Sequence, residues 1–425
     1  MNIRRLISSR SFKDFSSLFF SNVFQKLFGF VREPIIAFFF GSSLLYANYL
    51  LLRTGADFFS QFTTGNALKA NLLPKFTKIY NIYKKVSLKR VFSFSNRIMF
   101  FLFVFSQIIQ SGIIIYLDSE YKYILYIISV FLSLTICLNF FNNIYLTIMQ
   151  SQGRFFKYSL ASTLNSFIVA VFIYPFNLFL GILGIVISRI FGVLTLTFLY
   201  ILPMNRQRDG FEVELSRKDF DISTLILGNF ANIIIISSRF VSGSDGSNNI
   251  TYFTYSIFIL NAVLTSVIGN ISTLLLREIS IKKSVKFIYY SLGISVFVGS
   301  LLVLFLHYFS YDFIELVFKR GKFGISDVEN TSTYLYQLSY SFILIFIATT
   351  LFQPFFTLKG VDTRNERNLI LYIFLIILFG GIFVLSFLFS MDVREKSLIL
   401  IYSASFVSVI LSIYSYIVYL RSEKL

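Results

Sequence analysis

The sequence predicts an all-α polytopic membrane protein, with about twelve transmembrane helices in two six-helix lobes around a central cavity. Of the 425 residues, 56% are hydrophobic and 14% are charged, whereas soluble domains carry about 25% charged residues. The apolar residues form blocks of roughly 20 or more, the length that a helix needs to cross the hydrocarbon core. Short polar stretches separate the blocks, and the alternating pattern typical of membrane β-strands is missing.

Hydropathy and helix-breaking residues predict twelve spans. Their approximate ranges are 14–41, 46–80, 91–117, 121–149, 155–178, 181–203, 221–242, 250–279, 285–309, 330–358, 368–390 and 397–420. The first, second and eighth spans are less apolar than the others. Helices of this kind usually face protein or water on one side.

The placement of positive charge predicts the orientation. Twenty-five Lys and Arg residues fall in the loops on the side of both termini, and six fall in the opposite loops. Because positively charged loops stay in the cytoplasm, both termini are expected there. These loops account for the net charge of +17, and no nucleic acid is expected as a partner. The phosphate-binding motif GxxxxGK[ST] does not occur, so no nucleotide is expected either.

The longest cytoplasmic connection, "PMNRQRDGFEVELSRKDFD", divides the chain into two sets of six spans. The predicted domains are an N-terminal lobe, a linker and a C-terminal lobe, over residues 1–205, 206–220 and 221–425. Gly65 with Gly269, and Gly153 with Gly360, follow corresponding spans at nearly the same offset. This spacing favours a duplicated six-helix unit, as in many transporters.

Neither a metal site nor a cofactor is expected. Cys137 is the only cysteine and His307 is the only histidine, so a site of soft metal ligands cannot be assembled. Cys137 lies in a hydrophobic run and His307 lies near the end of a span. A structural role is favoured for both.

Three basic residues lie nearer the middle of their spans, namely Lys26, Arg32 and Arg53, although charge in hydrocarbon is costly. Two explanations stay open. Carboxylates could neutralise them, because Lys26 and Glu33 lie on nearly the same helix face and Arg53 and Asp57 are spaced i, i+4. Alternatively, the first two helices line a hydrated cavity in which Lys and Arg hold an anionic group such as a phosphate.

Polar residues in the same two segments favour the hydrated cavity, because a helix that faced lipid would not carry them. They are Asn22, Gln25, Asn48, Ser60, Gln61, Thr63, Thr64 and Asn66. We therefore predict a substrate-binding site without catalytic residues. Its predicted members are Lys26, Arg32, Glu33, Arg53 and Asp57.

Four stretches resemble the MurJ/MviN lipid II flippases of the multidrug/oligosaccharidyl-lipid/polysaccharide exporter (MOP) superfamily. "KLFGFVREPIIAFFFG" is similar to the first-helix signature R-x-x-G-F-x-R-[DE], which precedes an F-G turn. "LVFKRGKFGISD" resembles the extracellular element F-x-R-G-x-F-x-x-x-D. "ALKANLLPKFTKIY" resembles the end of the family's second helix, and "FFTLKGVDTR" resembles the stretch after its tenth.

The resemblance implies a flippase, not an enzyme, in the inner (cytoplasmic) membrane. It implies movement of a polyprenyl-pyrophosphate-linked saccharide from the cytoplasmic to the outer leaflet by alternating access. In the family, basic residues of the first helix contact the pyrophosphate. Lys26 and Arg32 occupy those positions, and Glu33 occupies the acidic one. The lipid-linked saccharide and membrane lipids are the implied partners.

The sequence departs from the family pattern at several positions. Ala47 corresponds to an Asp of the second helix, Ser60 and Gln61 correspond to a later basic pair, and "YSIFIL" lacks the eighth-helix Arg. Twelve spans are predicted where the family commonly has fourteen. These differences leave open whether the glycan is lipid II or another, such as a capsule or O-antigen repeat unit. A cation-coupled drug exporter and a membrane glycan polymerase are the alternatives from other classes.

Overall fold

The computed structural model describes residues 10–63, 65–83, 86–205, 211–215, 222–269, 271–272, 275, 285–358, 361–387 and 389–423. Over these residues the protein is almost entirely helical, and its β-structure is one pair of two-residue strands. Each of the twelve predicted spans coincides with one helix or with consecutive helices. The predicted class, an all-α polytopic membrane protein with about twelve transmembrane helices, is confirmed.

The first half of the chain contains eight helices among its described residues. They are α1 (Arg10–Phe40), α2 (Leu44–Thr63), α3 (Gly65–Ile82), α4 (Lys89–Leu117), α5 (Lys122–Ser151), α6 (Phe155–Leu180), α7 (Leu183–Leu196) and α8 (Leu202–Asn205). A π-helical turn (Thr197–Ile201) joins α7 to α8. Strand β1 (Val86–Ser87) lies between α3 and α4, and strand β2 (Phe211–Glu212) follows α8.

The second half has seven α-helices over the ranges that the structure covers. They are α9 (Ile222–Leu227), α10 (Phe230–Ser242), α11 (Asn249–Val263), α12 (Val285–Phe318), α13 (Ile325–Phe352), α14 (Val361–Phe387) and α15 (Val393–Glu423). A π-helical turn (Leu264–Ile268) extends α11, and a 3₁₀ turn (Pro354–Thr357) follows α13.

Nine helical stretches in the described part of the chain are long and apolar enough to cross a membrane. They comprise α4, α5, α6, α7 with its π turn and α8, α11 with its π turn, α12, α13 with its 3₁₀ turn, α14 and α15. The other three predicted spans correspond to α1, to α2 with α3, and to α9 with α10. The charged candidate residues lie on α1 and α2, two of these less apolar segments.

The chain forms two compact units. The N-terminal unit contains residues 1–40 and 55–228, and the C-terminal unit contains residues 41–54 and 229–425. These units differ from the predicted lobes in two places. Residues 41–54, which include the first half of α2, group with the C-terminal half, and α9 groups with the N-terminal half. The division into transport lobes stays a prediction.

Close helix packing organises the N-terminal unit, in which α6 packs against both α1 and α7. A Cβ atom added at Gly184 on α7 would lie 2.4 Å from the backbone carbonyl carbon of Phe176 on α6. Small residues of this kind let membrane helices approach closely. Asn142 on α5 ties the same region together, because its Oδ1 accepts a hydrogen bond from the Thr197 hydroxyl (3.0 Å) and its Nδ2 donates to the Val193 carbonyl (3.3 Å).

α13 is central to the C-terminal unit and packs against α11, α12 and α15. Hydroxyl groups join it to two of these neighbours. Thr350 hydrogen-bonds Ser295 of α12 (2.7 Å), and Tyr334 hydrogen-bonds Ser397 of α15 (3.1 Å). Because lipid offers no hydrogen-bond partners, bonds between helices satisfy these buried groups.

Candidate functional site

A short polar seam fixes α1 against α6 just before the first candidate residue. The Ser21 hydroxyl is hydrogen-bonded to the Ser159 carbonyl oxygen (3.1 Å) and to the Thr163 hydroxyl (2.8 Å). Gln25 Nε2 donates to the Ser21 oxygen (2.9 Å). The seam therefore sets the rotation of α1 about its own axis where Lys26 begins the next turn.

Arg32 and Glu33 form an ion pair on α1. Arg32 donates from Nε (3.0 Å) and from Nη2 (2.6 Å) to the same carboxylate oxygen, Oε1 of Glu33. The Arg32 side chain is 25% exposed and the Glu33 side chain is 4% exposed. Hydrogen bonds between ionised groups are the strong ones, and Arg can present its donors as a fork. The structure thus brings together two of the five predicted site residues.

The guanidinium of Arg32 keeps donors for a further acceptor. A guanidinium has five N–H groups, and Glu33 occupies Nε and one Nη2 donor. Over the residues that the structure covers, no acceptor is found for Nη1. Arg32 can therefore hold Glu33 and contact a second anionic group at the same time.

Lys26 is half-buried on the same helix, and the described residues offer its ammonium neither a hydrogen bond nor an ion pair. Lys26 and Glu33 share a helix face, but seven residues span about 10.5 Å along an α-helix axis. Glu33 instead pairs with its sequence neighbour. Local neutralisation, one of the two sequence-based explanations, therefore applies to Arg32 and not to Lys26.

Arg53 and Asp57 lie one turn apart on α2, and both are half-buried. The boundary between the compact units falls between them, after Thr54. Arg53 belongs to the C-terminal unit and Asp57 to the N-terminal unit. Their predicted pairing, and their predicted contact with substrate, stay predictions.

The polar residues of the first two spans have different environments. Gln25 contributes to the seam described above, Asn48 is buried, and Ser60 donates to the Asp57 carbonyl (2.8 Å). Gln61 is half-buried. The side chains of Asn22, Thr63 and Asn66, and the whole of Thr64, lie outside the described residues.

Sequence reasoning missed a buried aromatic cluster that holds the first half of α2 in the C-terminal unit. Tyr46 packs against Tyr49 (5.8 Å between ring centroids) and Tyr255 of α11 (6.0 Å). Tyr255 also packs against Phe318 (4.9 Å) and Phe323 (5.5 Å), which flank the loop between α12 and α13. These five rings are fully buried or nearly so. No local pattern could have revealed the cluster, since its members come from three distant segments.

Two of the resemblance-bearing stretches meet beside this cluster. Gly41, the glycine of the F-G turn, has φ +53, and a Cβ atom there would lie 2.5 Å from the Lys322 carbonyl oxygen. Lys322 belongs to the F-x-R-G-x-F-x-x-x-D element, in which Gly321 also has a positive φ of 58. At the end of this element, Asp327 Oδ2 accepts the Gly324 N–H (2.9 Å) and caps α13. This motif therefore builds an ordered loop against the α1–α2 turn.

The arrangement on α1 suits an anionic ligand. It presents a half-buried ammonium and a guanidinium with unused donors, against a single carboxylate that already accepts two hydrogen bonds. Cations of this kind within a membrane helix mark a functional pathway by default. Among the described residues there is no group of three or more His, Cys, Asp or Glu that could hold a metal ion.

The backbone can be compared with solved membrane-protein structures. A lipid II flippase MurJ in an inward closed conformation superimposes with a TM-score of 0.72 at 16% identity, over 96% of this chain and 87% of that chain. The chain has the fold of the MurJ transporters. An inward-facing multidrug-resistance MATE transporter of the MOP superfamily gives a TM-score of 0.57 at 12% identity, over 96% and 94% of the two chains.

The MurJ-type fold extends to other MOP superfamily members. A MOP superfamily transporter from Pyrococcus furiosus, described as having a binding pocket of reversed polarity, gives a TM-score of 0.56 at 14% identity, over 96% of this chain and 92% of that chain. No protein-family model and no curated protein matches the sequence. The likeness to MurJ predicted from sequence motifs is thus borne out at the level of three-dimensional structure.

Proposed function

We propose that this protein is a flippase that moves a polyprenyl-pyrophosphate-linked saccharide from the cytoplasmic to the outer leaflet by alternating access. Lys26 and Arg32 contact the diphosphate, and Glu33 holds the Arg32 guanidinium in place. The protein lies in the cytoplasmic membrane with both termini in the cytoplasm. The MurJ-type fold supports this proposal, as does the excess of positive charge in the loops on the side of both termini.

One observation carries the proposal, namely the unneutralised positive charge on α1. The Lys26 ammonium is half-buried and has no acceptor among the described residues, while Arg32 retains an unused Nη1. A buried charge is tolerated in a membrane when it is paired or hydrated. A diphosphate supplies several anionic oxygens, and Arg can bind two of them with parallel hydrogen bonds.

The identity of the glycan is the open part of the proposal. Lipid II and another polyprenyl-linked oligosaccharide, such as a capsule or O-antigen repeat unit, share the diphosphate that Lys26 and Arg32 would contact. Ala47, Ser60 and Gln61 stand where the family carries charge. Their neutrality favours a glycan that differs from the peptidoglycan precursor.

Export of cationic drugs is disfavoured by the state of Glu33. A cation exporter needs an intramembrane carboxylate that is available to a proton, a metal cation or the drug. The Glu33 carboxylate accepts two hydrogen bonds from Arg32 and is almost fully buried. The local site is therefore cationic, which repels a positively charged substrate.

Alternating access requires one segment of the C-terminal unit to move. Residues 41–54 connect directly to α1 and to the second half of α2, yet they pack on α11 and on the loop between α12 and α13. We expect opening toward the outer side to separate Tyr46 from Tyr255 and Gly41 from Lys322. The buried aromatic cluster would then hold the outer side closed in the resting state.

The proposal is tested by complementation of two conditional strains, one depleted of its lipid II flippase and one of a capsule or O-antigen flippase. Rescue of growth or of surface glycan identifies the substrate. The variants Lys26→Ala and Arg32→Ala should each lower transport by about tenfold or more, the effect of losing one charge-assisted hydrogen bond of about 1.5–3 kcal/mol. Arg97→Ala is the matched control, because Arg97 is an exposed basic residue on another membrane helix, α4.

Three outcomes would contradict the proposal. The first is rescue of neither strain by a protein that reaches the membrane in normal amounts. The second is full activity of the Lys26→Ala, Arg32→Ala double variant. The third is a gain of resistance to lipophilic cations, which would indicate drug export instead.

A further inference from the structure

The segment 211–215 lies inside the predicted inter-lobe linker but is bound to the N-terminal unit. Strand β2 pairs in parallel with β1, with Val86 opposite Phe211 and Ser87 opposite Glu212. The Val213 N–H donates to the Ser87 carbonyl (3.3 Å) and continues the pairing. Four membrane helices, α4 to α7, separate the two strands in sequence. The pair therefore fixes the start of the linker to the loop between α3 and α4.

Alternating burial along the segment shows which face is held. Val213 is 0% exposed and Leu215 is 8% exposed, within a hydrophobic cluster that includes Leu72, Phe76 and Met149. Glu212 and Glu214 point to solvent. Successive side chains of a strand point to opposite faces, so "FEVEL" has the pattern of an edge strand on a packed surface. Detaching it would expose two buried aliphatic side chains to water.

Charge complementarity selects the register of the segment. Arg90 pairs with Glu212 (2.6 Å between Nε and Oε2) and also with Glu214. Lys75 Nζ donates to the Glu214 carbonyl oxygen (2.7 Å). These groups are well exposed, and solvent weakens such pairs. They therefore specify the position of the segment, whereas the buried aliphatic residues supply most of the attachment.

A ring stack closes the outer edge of the segment. Phe211 lies parallel to Tyr83, with an interplanar angle of 4° and 3.9 Å between the ring centroids. Both rings are partly exposed. Backbone pairing, burial, charge and stacking thus act on the same five residues, and each of them involves the N-terminal unit alone.

We propose that residues 211–215 are a fixed anchor, bound to the N-terminal unit throughout the transport cycle, so that the moving part of the connection begins after Leu215. This inference rests on the proposed transport function, because an anchor constrains motion only in a protein whose two halves move. The anchor is part of the N-terminal unit, and the linker predicted over residues 206–220 is not one uniform tether.

A reversible cross-link tests the anchor directly. Ser87→Cys and Glu212→Cys, in a Cys137→Ser background, place two thiols on residues that face each other across the strand pair. The oxidised protein is reconstituted in liposomes with a fluorescent polyprenyl-diphosphate-linked saccharide, and transport is measured before and after reduction. We expect the two rates to agree within about twofold. A loss of about tenfold that reduction reverses would overturn the anchor, since the strand would then have to detach. The two single-cysteine variants are the controls.

A second measurement needs no substrate and so separates the anchor from the proposed function. Val213→Asp should lower the thermal unfolding temperature of the purified protein, and Arg90→Glu should lower it less. Exchanging the charges, with Arg90→Glu, Glu212→Lys and Glu214→Lys together, should recover most of the Arg90→Glu loss. An unchanged unfolding temperature in Val213→Asp, or a failure of the Ser87–Glu212 cross-link to form in the resting protein, would refute the anchor even if transport is intact. A parent protein that transports neither glycan would refute the proposed function alone.

Discussion

The Cα atom of Gly41 faces the carbonyl oxygen of Lys322 so closely that a Cβ atom would lie 2.5 Å from that oxygen. The contact joins the turn between α1 and α2 to the loop between α12 and α13. Gly41 also has φ +53, a backbone conformation that side-chain-bearing residues avoid. Two independent constraints therefore act on this residue.

We predict that Gly41→Ala lowers the thermal stability of the detergent-solubilised protein. The left-handed backbone costs about 1–2 kcal/mol for Ala, and the clash with a backbone oxygen adds to it. Gly181→Ala separates the two effects, because Gly181 has φ +55 but open space around its Cβ position. Gly112→Ala should be neutral, since Gly112 is helical and also has open space. Equal unfolding temperatures for the Gly41 and Gly181 variants would contradict the close contact.

Truncation of the aromatic cluster should be costly. Phe318→Ala removes a fully buried ring that contacts Tyr255, and large-to-small changes of this kind cost about 3–5 kcal/mol. Leu316→Ala is the matched control on the same helix, because the Leu316 side chain is largely exposed. Thermal unfolding followed by circular dichroism should show a large shift for Phe318→Ala and almost none for Leu316→Ala. Similar shifts would mean that the loop between α12 and α13 is not held by the cluster.

The ion pair on α1 predicts a difference between two stability changes. Arg32→Ala takes two charge-assisted hydrogen bonds from the buried Glu33 carboxylate, and breaking a buried pair costs about 3–5 kcal/mol. Adding Glu33→Gln removes the charge and should recover part of that loss, as a double-mutant cycle would measure. If the double variant is no more stable than Arg32→Ala, the pair does not hold Glu33 as described.

Lys26 offers the complementary case, in which activity and stability separate. Its ammonium has no acceptor in the described part of the structure, so Lys26→Ala should leave the unfolding temperature almost unchanged. Transport should nevertheless fall by about tenfold, as expected for the loss of one contact to a charged group. Parallel measurements of unfolding and of flipping in liposomes check this prediction. A destabilised Lys26→Ala protein would indicate a structural role instead.

The loop between α4 and α5 predicts a local pH dependence outside the membrane. A hydrogen bond from Lys122 lowers the pKa of Asp118, and the same pair raises the pKa of Lys122. A carboxylate with a depressed pKa stabilises the fold above its unfolded pKa of about 3.9, and that contribution is lost as the pH falls through the folded pKa. The lysine contribution is lost only in strong alkali. Lys122→Gln should therefore reduce stability at neutral pH, and the difference from the parent should vanish in strong acid.

The twelve helices could be predicted because each depends on local sequence alone. An apolar block of sufficient length is helical in a membrane whatever its neighbours are. The Arg32–Glu33 pair was equally local, although the sequence favoured Lys26 as the partner of Glu33. Residues two turns apart share a face, but adjacent long side chains reach each other more easily.

The packing of distant segments could not be predicted. Nothing near Tyr46 indicates that Tyr255 lies against it, and nothing near Phe211 indicates a strand partner at Val86. A stretch of five residues between two sets of spans has the composition of a loop, and only the alternation of Val213 and Leu215 with Glu212 and Glu214 hints at a strand. Such contacts depend on how membrane helices bring remote loops together.

The stacked rings of Tyr83 and Phe211 have a practical consequence. The protein contains no tryptophan, so Phe211→Trp would introduce the sole indole fluorophore at the edge of the strand pair. Its emission maximum and its quenching by aqueous iodide would report whether that ring leaves Tyr83 while the protein turns over. A cytoplasmic optical reporter is thus available without any dye, on a surface far from the lysine and arginine proposed to grip the cargo.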